Sequence, residues 1–81
     1  MSANLQQNIE YCDVHIDDLN NIYSLELKSY PHPWTKGILR DCINNHYDFY
    51  IAKTNNIIIG YIIAKISIYE THILNLTISQ D

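Results

Sequence analysis

An α+β fold built on an antiparallel sheet is what this sequence predicts, and three observations predict it. Apolar residues recur at three- and four-residue steps upstream of Pro31 and again downstream of Trp34, which is the period of a helix. From Tyr47 onward the pattern changes to runs and alternations of Ile, Tyr, Leu and Thr, which is the period of a strand. Only short polar breaks separate those later runs, so consecutive strands turn back on one another as a meander. With a short opening strand the order is β-α-α-β-β-β, both helices lying upstream of the meander.

Asn8 to Val14 alternates well enough for the opening strand. From Asp17 to Tyr30 the residues Leu19, Ile22, Tyr23, Leu27 and Tyr30 form one stripe, with Asp17 and Asp18 in the first turn, where the helix dipole favours acid. Pro31-His32-Pro33 ends that helix, because proline has no amide donor and disfavours helical geometry in the residue before it. Thr35 is the expected N-cap of a second helix through Asn44, with Ile38, Leu39, Cys42 and Ile43 inward.

Tyr47 to Lys53 reads as a strand, Thr54-Asn55-Asn56 as a turn, and Ile57 to Tyr69 as the returning strand. The first half of that return is apolar throughout, so cover on both faces is expected. After Glu70-Thr71 the last strand, Thr71 to Ser79, sets His72, Leu74, Leu76 and Ile78 on one face against Ile73, Asn75 and Thr77 on the other. It reads as a central strand, so the sheet is expected to be incomplete within these 81 residues.

Composition bounds the function. With 47% hydrophobic and 17% charged residues the chain can form a packed core, and at 81 residues it is read as one domain, 1–81. A net charge of −4 with five scattered Lys and Arg leaves no basic stripe for phosphates, which argues against nucleic acid. The opening Met1 to Gln6 has no leader character and no apolar run approaches the roughly 18 residues of a membrane span, so a cytoplasmic protein is expected. Cys12 and Cys42 lack ligand spacing and read as buried free thiols. His15, His32, His46 and His72 lack it too, so no metal site is expected, and His72 reads as a hydrogen-bonded structural residue.

At this point a resemblance enters. Glu26, Tyr30, Pro33, Trp34 and Thr35 resemble the "E…F..PWS" signature of the RimI-like ribosomal-protein-alanine N-acetyltransferases, and Ile73 to Ser79 resembles the "L-x-N-I-A-V" fourth strand of that family. The element order is similar to the N-terminal half of the GNAT fold that these enzymes share, and the likeness covers nearly the whole chain. It implies acetyl transfer from acetyl-CoA to the α-amine of a protein N-terminus, a ribosomal protein by resemblance. It also implies that backbone groups at Leu76, Thr77 and Ile78 bind the pantetheine arm, and that Trp34 lines the acceptor-peptide cleft.

The family's pyrophosphate turn needs glycines at fixed spacing, so that clustered amides at a helix N-terminus can face the phosphates. Gly37 and Gly60 do not supply that spacing. A truncated, inactive GNAT domain is therefore the expectation, with no catalytic residue assigned within it. The alternative is a small non-catalytic interaction module that pairs with a complementary chain through its open fourth strand.

Two residues carry rival readings. For Trp34 a core plug is the expectation from the residues alone, and a cleft wall is the other reading. Glu26 falls on the apolar side of its helix between Tyr23 and Tyr30; a buried contact to loop amides is one reading, and a solvated shoulder is the expectation.

Overall fold

The computed structural model describes residues 8–80; the opening segment read for a leader, 1–7, and Asp81 lie outside the described residues. The elements are β1 (Glu10–Asp13), a 3-10 turn (Ile16–Asp18), α1 (Leu19–Ser29), α2 (Lys36–Asn44), β2 (Asp48–Thr54), β3 (Ile57–Ile66) and β4 (Thr71–Ile78). The strands form one antiparallel sheet in the order β1-β2-β3-β4, as the meander requires.

Local chemistry explains each boundary. The 3-10 turn takes the place of the first helical turn expected from Asp17: His15 Nδ1 accepts from Asp17 N at 3.1 Å, and Asp18 Oδ2 accepts from His15 N at 2.8 Å. Tyr30 leaves α1 in extended geometry, as a residue before proline must. Thr35 caps α2, its hydroxyl accepting from Ile38 N at 3.2 Å. That helix closes with His46 at φ 60°, its N–H bonded to Ile43 O, while Tyr47 N–H reaches Cys42 O, so the last carbonyls are satisfied. Asn55 and Asn56, at φ 52° and 64°, make the left-handed two-residue turn that matches strand twist. The returning strand stops at Ile66, earlier than the Tyr69 expected, because Ser67 and Glu70 close a turn of their own.

The core lies between the helices and one face of the sheet: Leu19, Ile22 and Leu25 of α1, Leu39 and Cys42 of α2, and Phe49, Ile51, Tyr61 and Ile63 from β2 and β3. Several inward assignments differ from the expectation. Leu25 is buried where Leu27 was expected, because α1 turns its Leu19-Ile22-Glu26 line rather than its Leu27 side to the sheet, and Ile38 is exposed because α2 turns Leu39 and Cys42 inward. Cys12 is exposed, whereas Cys42 is buried; burial first, and then the Asp41 charge, push its thiol up, so it stays a protonated apolar filler.

Among the described residues the helices cover one sheet face only. On the other, Tyr50, Ile62 and Leu76 stand in register across β2, β3 and β4, and Ile78 follows beside Gly60. On β3 Ile57 is 65% exposed and Ile62 only half-buried, and beside them Leu76 is 54% and Ile78 65% exposed, so the two-sided cover expected from the apolar run is not supplied by residues 8–80. No helix of the described residues is long and apolar enough to cross a membrane.

Two register shifts shape the sheet: Ile59 of β3 has no partner on β2, and Leu74 of β4 has none on β3. At Gly60 the strands approach closely, since an added Cβ would lie 2.9 Å from the Thr77 carbonyl oxygen. That oxygen is backbone and cannot swing aside. Gly60→Ala is therefore expected to cost about 1–3 kcal/mol, read as a lower urea midpoint. An unchanged midpoint would show that β3 and β4 are not this close.

Candidate functional site

Glu26 is the centre of the site. It stands four residues after Ile22 and seven after Leu19, on the stripe that α1 presents to the sheet, and it is 1% exposed. The solvated shoulder is thus corrected: the carboxylate lies in the interior and accepts from three donors. Trp34 N–H reaches Oε2 at 2.9 Å, while Asn75 Nδ2 reaches Oε1 at 3.0 Å and the Tyr61 hydroxyl also donates to Oε1. Those donors replace the water that burial removes, without which an ionised carboxylate would cost far more than a fold can offset. Among the described residues no buried side-chain polar atom is left without a partner.

The network continues along β4. The Thr77 hydroxyl sits 2.7 Å from Asn75 Oδ1 and 2.9 Å from Tyr30 Oη, and the Tyr30 hydroxyl donates to Leu76 O at 2.8 Å. Both β4 side chains are buried, so the face that alternation assigned to Asn75 and Thr77 is the one turned to the helices. Burial first, and then the bond to Glu26, push the Tyr61 phenol well above its ordinary value.

Between the loop that follows α1 and the edge of β4 lies a cleft of about 250 Å³ lined by Glu26, Tyr30, His32, Trp34, Leu74, Asn75 and Leu76. Of the four binding positions that the resemblance implies, Trp34 and Leu76 meet in it. Trp34 is half-buried, packing on the core with one part and lining the cleft with another. Leu76 faces it from the strand. Thr77 and Ile78 do not line it: Thr77 is turned into the network and Ile78 into the exposed sheet face.

Backbone direction separates these three positions further. Ser79 N–H bonds to Ile59 O across the ladder, and in an antiparallel pair alternate residues point both backbone groups the same way. Thr77 thus faces β3, while Leu76 and Ile78 direct theirs off the ladder, where Tyr30 meets the Leu76 carbonyl. His72 is exposed rather than on a covered face, its Nε2 3.0 Å from Glu70 Oε1. Among the described residues no group of three His, Cys, Asp or Glu is placed to hold a metal.

Comparison with solved structures answers the question of architecture. The ribosomal-protein-S18-alanine N-acetyltransferase from Escherichia coli superposes with a TM-score of 0.82 at 16% identity, over 91% of this chain and 48% of that one. This chain carries half of the GNAT acetyltransferase fold. The PaiA N-acetyltransferase from Thermoplasma acidophilum, in complex with coenzyme A, gives 0.76 at 20% identity over 90% of this chain and 60% of that one. Naa50 of Arabidopsis thaliana, in complex with the bisubstrate analogue CoA-Ac-MVNAL, gives 0.69 at 18% identity over 89% and 51%. The chain thus spans about half the length of the acetyltransferases it resembles. No protein-family model and no curated protein sequence matches it.

The Tyr61–Glu26 bond has a measurable consequence. Tyr61→Phe leaves a buried carboxylate short of one donor and is expected to cost about 1–3 kcal/mol at neutral pH. Because the folded phenol titrates higher, the unfolded chain ionises first as pH rises; the stability from this shift is complete below about pH 10 and is lost above it. Denaturant melts from pH 7 to 11 should show that alkaline decline shrinking in Tyr61→Phe. Parallel curves would disprove the shift.

Proposed function

We propose that this chain supplies the acceptor cleft and the pantetheine edge of an acetyl-CoA-dependent N-acetyltransferase acting on the α-amine of a protein N-terminus in the cytoplasm. One observation carries the reading: the loop of Trp34 and the outward edge of β4 face each other across a single cleft. The half GNAT fold supports it, and so do the coenzyme A and bisubstrate complexes among its structural neighbours.

When bound, acetyl-CoA supplies an acetyl thioester open to attack by an amine. The chain's part is to bind and orient. Backbone groups of Leu76 and Ile78 point off the ladder and can pair with the amides of a pantetheine arm as a further strand would, independently of side-chain identity. Thr77, between them, holds that edge in place through its ladder bonds and its hydroxyl. Trp34, Tyr30 and His32 wall the space in which a peptide N-terminus would lie. Alanine at that N-terminus and a ribosomal protein as acceptor are the finer reading, supported by the Glu26–Pro33–Trp34 signature.

Gly37 and Gly60 do not supply the spacing of a pyrophosphate turn, so the reading assigns that turn and the proton-transfer groups to residues outside these 81. The 81 residues, an incomplete catalytic domain on this reading, then do not turn over alone. A competing reading, favoured by the exposed Leu76 and Ile78, is a non-catalytic module whose β4 edge pairs with a complementary chain.

Titration of the isotope-labelled protein separates the two. Coenzyme A is expected to shift the Leu76 and Ile78 amides, and a peptide with a free N-terminal alanine the Trp34 amide, with no acetylated product from the 81 residues. Turnover by this chain alone would refute the division of labour. Silence to both ligands, with a concentration-dependent dimer on size exclusion, would favour the pairing module.

A further inference from the structure

We infer that Glu26 is the positioning residue of the cleft: its carboxylate pins the 31–35 loop to β4 and so fixes where Trp34 stands, an inference that rests on the acceptor-cleft reading above. Besides the packing of Trp34 on the core and the Thr35 cap, the loop is held by few backbone bonds. Pro31 and Pro33 have no amide hydrogen, so neither can donate a backbone bond. Among the described residues the bond from Trp34 N–H to Glu26 Oε2, at 2.9 Å, is the backbone hydrogen bond that anchors residues 31–34.

The other carboxylate oxygen is tied to the sheet, through Asn75 on β4 and Tyr61 on β3. One side chain therefore bridges the loop wall and the strand wall of the same cleft. The stripe on α1 otherwise uses Leu19, Ile22 and Leu25, and an apolar residue would pack at position 26 without the desolvation that a carboxylate pays. What the carboxylate adds is a fixed separation between the loop and the strand.

Only one amide oxygen is needed for the Trp34 N–H. Glu26→Gln can present it there while its NH₂ group meets the Tyr61 hydroxyl, which turns to accept, and Asn75, whose amide flips to offer Oδ1 while its Nδ2 donates to the Thr77 hydroxyl. Glu26→Leu keeps the volume and removes every acceptor. Asn75→Ala removes a donor from the opposite oxygen and leaves the loop bond in place.

The test is amide hydrogen exchange at Trp34, referenced to Ile63 in the core so that global stability cancels, together with binding of a peptide bearing a free N-terminal alanine. In the wild-type chain Trp34 should be protected well above the other amides of its loop. In Glu26→Leu it should exchange about tenfold faster relative to Ile63, with peptide affinity falling by a similar factor; Gln should restore both, and Asn75→Ala should leave the Trp34 exchange ratio unchanged. Trp34 exchanging at the unprotected loop rate in the wild-type chain overturns the inference, even if Glu26→Leu fails to fold. Equal effects of Leu, Gln and Asn75→Ala would also overturn it, because that is the pattern of general destabilisation. A wild-type chain that protects Trp34 but binds no peptide keeps the pin and removes the acceptor-cleft reading instead.

Discussion

A buried carboxylate on α1, bonded to the loop that follows it and to the sheet and forming no ion pair among the described residues, is the constraint around which this molecule is arranged. The Glu26 oxygens can be buried only if several donors converge on them, and they come from far apart in the chain: Trp34 after α1, Tyr61 on β3 and Asn75 on β4. Satisfying that demand fixes the face α1 turns to the sheet, the approach of the proline-containing loop, and the side of β4 that is buried. A hydrophobic core alone would define those relations less sharply, since apolar contacts carry little direction.

The arrangement also explains why the cleft lies where it does. The loop wall and the strand wall are held by opposite oxygens of the same carboxylate, while Tyr30 ties the end of α1 to the Leu76 carbonyl. The register shift at Leu74 falls on the same stretch of β4, where a sheet can bend away from regular pairing. Rigid elements thus supply the walls and a short loop supplies the aromatic surface, a common division of labour in binding sites.

Much of this was legible in the sequence because it depends on local chemistry. The proline break, the Thr35 cap, the Asn55-Asn56 turn and the alternation in β4 are each decided by a few neighbouring residues, and each stands within a few positions of its expected place. The candidate site was legible in part: Trp34 and Leu76 do share a cleft, yet Glu26 was expected in solvent. A helical stripe tells which side chains face inward, and Glu26 was on it; only the distant donors on β3 and β4 make an inward carboxylate tolerable, and spacing along one helix does not reveal them. The same limit explains Ile38 and Leu27, whose exposure depends on how each helix is rolled against the sheet. The 3-10 turn at Ile16 was hidden because a histidine, an uncommon cap, closes it.

Along β4 neighbouring residues answer to different demands. Asn75 and Thr77 are committed through their side chains, each held to at least one partner in the interior. Leu76 and Ile78 offer their main chain at the rim, and their side chains lie largely in solvent. Mutational freedom along this strand should therefore come in a two-residue rhythm, strict and permissive by turns. A strand of this kind can drift in the letters it shows to the outside while its grip on the interior stays fixed, which is compatible with a shared architecture at 16% identity over 48% of the other protein's chain.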